Sequence, residues 1–95
     1  MTKPTRYLPA EDVLSTDYET EGILVHLETK RCFRLNDTAA TIYRAVRDGL
    51  SRDEIVASMR ESYDVDEETA VREVDRLLDE LVELRVIRPD VDSEA

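Results

Sequence analysis

A chain of 95 residues and 10.9 kDa holds one domain with one core, too small to enclose a roomy active site. With 23 Asp and Glu against 13 Lys and Arg it carries a formal charge of −10, which argues against nucleic acid, since phosphate binding draws its affinity from Lys and Arg displacing counterions. No apolar run approaches the roughly 20 residues of a membrane span, no apolar segment follows the first residues as in a secretory signal, and the lone Cys32 makes neither an internal disulfide nor a zinc site. The expectation is a cytoplasmic protein without metal or cofactor, suited to a basic or apolar protein or peptide partner.

Residues 1–11, with Pro4 and Pro9 and no periodicity, read as a tail ordered only near Tyr7 and Leu8. Asp12 to Tyr18 forms a first strand, followed by a polar turn at Glu19 to Gly22. In Ile23-Leu24-Val25-His26-Leu27 the alternation predicts a second strand with Ile23, Val25 and Leu27 buried and His26 on the opposite, solvent face. A turn at Glu28-Thr29-Lys30 leads to a third strand over Arg31 to Leu35, in which Phe33 and Leu35 face the core. Runs this close leave no room for helical crossovers, so the sheet is an antiparallel meander.

Within Lys30 to Ala39 the apolar period changes from about two to about 3.6 residues, and Asn36 or Asp37 caps a first helix from Asp37 to Asp48 that Gly49 closes. Ser51-Arg52-Asp53-Glu54 is a capping box opening a second helix with Ile55, Val56, Met59 and Tyr63 along one stripe, stapled by Leu50 against Ile55. The third helix, Glu67 to Arg85, starts at Asp66. Its apolar surface is unusually wide. Ala70, Val74, Leu77, Leu81 and Leu84 form one stripe and Val71, Leu78 and Val82 a second, together about 160° where a helix lying on a core needs about 100°. One stripe then holds the fold while the other lines a groove, with Asp75 and Asp79 on its polar border; burial of both stripes is the plainer alternative. Pro89 to Ala95 is an acidic, disordered tail, which leaves residues 12–88 as the domain.

No catalytic constellation accompanies these elements. Gly22 and Gly49 are too few for a phosphate loop, the acidic pairs Asp75/Asp79 and Glu80/Glu83 are ordinary for a solvated helix face, and Cys32 has neither a base nor a resolving cysteine. What the order does supply is a sheet edge at the third strand, open to an added strand and bordered by Lys30, Arg31 and Arg34.

Gly22-Ile23-Leu24-Val25, Phe33-Arg34-Leu35-Asn36-Asp37-Thr38-Ala39, Ile42-Tyr43, Asp48-Gly49 with the capping box after it, Tyr63, and Val74 to Leu84 together resemble the coenzyme PQQ synthesis protein D family, the leader-binding domains called RiPP recognition elements. The resemblance spans about residues 12–88 and departs at Arg85, where the family often has glycine after its last helix. It implies an α+β, winged-helix-like fold of three antiparallel strands followed by three helices. It also implies a non-catalytic protein that holds the leader of a ribosomally made precursor peptide as an extra strand on the third strand, against the third helix. Carried onto this chain, the peptide site is Arg31, Cys32, Phe33, Arg34 and Leu35 with Val71, Asp75, Leu78 and Val82, and Asp79 beside them for a basic leader. A free-standing chain of this size resembles the separate leader-binding protein of lasso-peptide pathways, whose partners are the precursor leader and a leader peptidase or other maturation enzyme. On this reading Leu78→Asp abolishes binding in a folded protein, whereas Phe33→Ala damages folding. A winged-helix DNA-binding regulator and a homodimerising structural protein are the alternatives that element order alone permits; the acidic residues Glu67, Glu68, Glu73, Asp75, Asp79 and Glu80 on the would-be recognition helix disfavour the first.

Overall fold

The computed structural model describes residues 5–18 and 21–90. In chain order the elements are β1 (Tyr7–Pro9), β2 (Val13–Tyr18), β3 (Glu21–His26), β4 (Arg31–Leu35), α1 (Asp37–Arg47), α2 (Arg52–Tyr63), α3 (Glu67–Glu83) and β5 (Ile87–Pro89). Strands β2, β3 and β4 make an antiparallel meander in that order, while β1 and β5 pair antiparallel as a separate two-stranded sheet. The α+β class and the succession of three strands and three helices agree with the sequence reading.

The two-stranded sheet was not expected. Tyr7, inside the segment predicted as a tail, is 4% exposed and belongs to the core. Leu8 pairs with Arg88, and Asp90 N–H donates to the carbonyl of Arg6 at 3.0 Å. Arg52 N–H also donates to the carbonyl of Thr5 at 2.7 Å, so the N-terminal strand ties the start of α2 to the end of the chain. Pro89 and Asp90, predicted as part of a disordered tail, belong to the fold through β5 and the Asp90–Arg6 bond, while Val91 to Ala95 lie outside the described residues, as does the turn at Glu19 and Thr20.

Strand parity differs from expectation on β3. Leu24 and His26 are buried, at 1% and 5% exposure, while Ile23 and Val25 are half-buried and Leu27 is 44% exposed. Turn length is the cause. A turn of Glu28-Thr29-Lys30 would set Leu27 opposite Arg31 and Val25 opposite Phe33. The actual turn also takes in Leu27, so His26 pairs with Arg31 and Leu24 with Phe33, and one residue of slip moves every side chain of the strand to the other face. Lys30 closes this turn with φ 63°, its N–H donating to the carbonyl of His26 at 2.8 Å. His26 is therefore a buried histidine, its Nδ1 accepting from Thr29 N–H at 3.3 Å.

The helices begin where their caps predict. Asn36 Oδ1 accepts from Ala39 N–H at 2.9 Å, and Ser51 and Glu54 complete a reciprocal capping box. Asp66 Oδ1 accepts from Thr69 N–H at 3.0 Å. Hydrogen bonds from Ser51 to Glu54, and from Thr69 to Asp66, hold both carboxyls below their usual range. At the other ends, α1 and α3 close in the same way. Gly49 (φ 86°) and Arg85 (φ 64°) donate to Val46 and Val82, and the following residues Leu50 and Val86 to Ala45 and Leu81, the paired bonds of a Schellman cap.

Arg85 thus adopts the left-handed conformation that makes glycine common at this position, which explains how the helix ends without one. Left-handed backbone costs a residue with a Cβ about 1–2 kcal/mol, part of which glycine loses again through its freer unfolded chain. Arg85→Gly is expected to stabilise the fold by about 0.5–1 kcal/mol, read as a rise of a few degrees in Tm.

Candidate functional site

Helices pack on only one face of the meander, so β4 keeps one long edge without a partner strand among the described residues. Two bonds identify which of its backbone groups point outward. Leu27 N–H donates to Asp12 on the β2 side, and the carbonyl of His26 accepts from Lys30 on the β4 side. Central-strand residues alternate, so Leu24 and Gly22 also turn toward β4, and their partners Phe33 and Leu35, with Arg31, spend their N–H and C=O groups inside the sheet. Alternation turns the N–H and C=O of Cys32 and Arg34 toward the outer side of β4, and both residues are exposed.

Phe33 is half-buried at this edge, packed against the core on one side with the guanidinium of Arg31 at 5.9 Å from its ring centroid. That is a cation–π contact, and it makes Phe33 less of a core residue than its predicted place. Leu35, at 6% exposure, is core.

The third helix departs further from expectation. Leu78 is 0% exposed and sits in the hydrophobic core, so it lines no open groove, and Leu78→Asp strikes at the stability of the fold. Val71 and Val82 are half-buried and pack against the same core. Asp75 is engaged by α2: Arg52 donates Nε to Oδ1 at 2.6 Å and Nη2 to Oδ2 at 2.8 Å, a bidentate pair that raises the pKa of the guanidinium further. Asp79 is exposed. The breadth of the apolar surface thus serves burial, because α3 packs against α1, α2 and β5 together.

The flank of α3 nearest the β4–α1 junction is the other one. Thr69, Ala70 and Glu73 share a cavity of about 240 Å³ with Thr38, at the start of α1, and with Met59, Tyr63 and Val65 from the α2 end. Two residues along a helix turn its face by about 200°, so Glu73 and Asp75 lie on opposite flanks. The cavity is open and mostly apolar, and Glu73, among its lining residues, accepts from Arg76 Nη2 at 2.8 Å. Tyr63 hydroxyl is fixed at 3.2 Å from Thr41 Oγ1. Since cavities of about 150 Å³ admit benzene, an aromatic or large aliphatic side chain fits this one. The sequence offered no sign of it, because its seven residues come from all three helices and the α2–α3 connection.

Among the described residues no group of His, Cys, Asp and Glu is placed to hold a metal, and no helix is long and apolar enough to cross a membrane. A strand edge beside an apolar cavity is the equipment of a peptide-binding domain.

The family model for coenzyme PQQ synthesis protein D matches residues 21–87, and the chain belongs to that family, the RiPP recognition elements, whose members are non-catalytic leader-binding domains. Two solved structures share its fold. "TbiB1 in Complex with the TbiA(beta) Leader Peptide" superposes with a TM-score of 0.81 at 26% identity, covering 84% of this chain and 93% of that one. "Lasso peptide synthetase B1 complexed with the leader peptide" gives 0.80 at 23% identity, covering 88% and 99%. No curated protein sequence matches the chain.

Proposed function

We propose that this protein binds the leader of a lasso-peptide precursor as a fourth strand on the free edge of β4 and presents it to a maturation enzyme. The observation that carries this is the edge position of β4 with the backbone of Cys32 turned outward, together with the apolar cavity that Thr38 and Glu73 help to line. Main-chain hydrogen bonds along the edge supply affinity, and the cavity and the Phe33 ring select side chains. Antiparallel pairing is the stronger geometry, and it brings the leader's N-terminal half to the cavity and its C-terminal half past Lys30. The two structural relatives are each described with a leader peptide, which supports leader binding, and one of them is described as a lasso peptide synthetase B1.

Asp75 has a different place in this scheme from the one its spacing suggested. Its charge already answers Arg52, and Glu73, among the cavity residues, pairs with Arg76 at 2.8 Å, so the cavity selects mainly by its apolar lining. Holding the leader raises the effective concentration of the precursor at an enzyme bound to the same assembly, with no chemistry from this chain. Thr69→Trp tests the cavity. The indole occupies it at a half-buried position that tolerates the larger side chain, and leader affinity measured by fluorescence polarisation is expected to fall about tenfold with Tm little changed. Unchanged affinity would mean that the leader runs elsewhere.

A further inference from the structure

The basic residues of this acidic chain are unevenly answered. Arg52 is held by Asp75 at 2.6 Å, and Arg76 by Glu73 at 2.8 Å and Glu80 at 3.4 Å. Lys30, Arg31 and Arg34 instead crowd into β4 and the residue before it, a stretch without a carboxylate, and all three are exposed. Arg31 has the most particular setting. Pairing places it directly across from His26, which in turn faces Val13, so the row that crosses the meander at this level holds no acid. Its guanidinium sits over the Phe33 ring, 5.9 Å from the centroid, which holds the charge beside β4 without neutralising it. Among the described residues no carboxylate lies within ion-pair distance of Arg31.

We infer that Arg31 makes this protein selective for leaders carrying Asp or Glu at one register position, the residue set opposite Arg31 when the leader pairs with β4. The inference rests on the proposed leader site and deepens it. Arg31, Phe33 and Leu35 spend their backbone groups inside the sheet. Against an antiparallel strand they form the non-hydrogen-bonded pairs, whose Cα atoms are about 4.5 Å apart and whose side chains stand closest. Alternation also places the three on one face, with Leu35 in the core and Phe33 packed against it. The leader residue opposite Arg31 thus lies two residues C-terminal to the one opposite Phe33 and four C-terminal to the one opposite Leu35, on the same face as both. A carboxylate there completes the cross-strand pair that His26 does not supply, and a cation there meets Arg31 at close range and is rejected. Charge is read at the turn end of β4, and apolar character at the Phe33 ring and the cavity. Guarding the edge against a second copy is the other use of a cation at such a place. That role needs no contact with Phe33, and Lys30 and Arg34 serve it equally well.

The test uses the full chain and a fluorescein-labelled synthetic leader of the precursor encoded with it, each leader Asp or Glu being changed in turn to Asn or Gln. Fluorescence polarisation is expected to show one position at which the change weakens binding to the wild type by about fivefold at low salt, and by less as salt rises. The same change should leave affinity for Arg31→Gln unaltered, and a leader with Lys at that position should bind Arg31→Glu more tightly than it binds the wild type. Arg34→Gln, on the other face, should keep the wild-type response, which separates a defined pair from general attraction to a basic strand. Position 31 is exposed, so its variants are expected to melt within a few degrees of the wild type. The selection is overturned if every leader change acts equally on the wild type and Arg31→Gln, or if Arg31→Gln binds leader as tightly as the wild type; dimerisation of that variant in sedimentation would then give Arg31 the guarding role. A wild type that binds no leader overturns the proposed function as well, a result distinct from leader binding that ignores Arg31.

Discussion

Cys32→Pro is expected to remove leader binding from a protein that still folds. Proline at an edge position sacrifices a ladder hydrogen bond only if its N–H points inward, and the pairing of His26 with Arg31 and Leu24 with Phe33 turns the N–H of Cys32 outward. The ring therefore costs the sheet about 1 kcal/mol or less. For an incoming strand it deletes a donor worth about 0.5–1.5 kcal/mol, and its Cδ stands where the partner backbone must approach. A loss of leader affinity of about 30-fold or more follows, with Cys32→Ser close to the wild type. Phe33→Pro, one residue on, removes an internal ladder bond and a half-buried aromatic ring, and it should unfold the protein. If Cys32→Pro binds leader normally in fluorescence polarisation, β4 is not the docking edge.

Leu78→Asp has the other large effect, on stability. Leu78 is fully buried among the three helices. A carboxylate there loses its hydration without a partner, and the cavity left by the shorter side chain adds to the cost; together these exceed about 4 kcal/mol. Against a total stability of about 5–15 kcal/mol for a domain, that removes most of the margin of a chain at the lower end of the range and leaves it with a greatly lowered Tm. A thermal transition in circular dichroism far below that of the wild type is the expected readout. A Leu78→Asp protein that melts like the wild type would restore the second stripe of α3 as a groove wall.

The helix starts were legible because each rests on a few neighbouring residues. Asn36, Ser51 and Asp66 satisfy free amides within the next three residues, and no distant part of the chain alters that preference. Gly49 and the edge position of β4 were legible for similar reasons. The β1–β5 pair was hidden, because two three-residue strands some 80 positions apart give no periodicity of their own.

The apolar surface on α3 was read as wide and as divided between core and groove, and Leu78, assigned to the groove, lies in the core at 0% exposure. A helical wheel records which residues share a flank. It does not record how many neighbours press on the helix, and here α1, α2 and β5 all pack against it. The cavity lies on the flank of Thr69 and Glu73, and the proposed leader site takes in that flank.

What the amino-acid sequence determined by itself is the order of the three meander strands and three helices, the helix caps and the acidic charge of the chain, all set by local hydrogen bonding and composition. Which face of β3 is buried was decided by a turn one residue longer than its polar stretch, and which flank of α3 borders the open cavity by the packing of three helices. Both depend on contacts between residues far apart in the chain, where a single residue of register or one extra neighbour reverses what a local pattern implies.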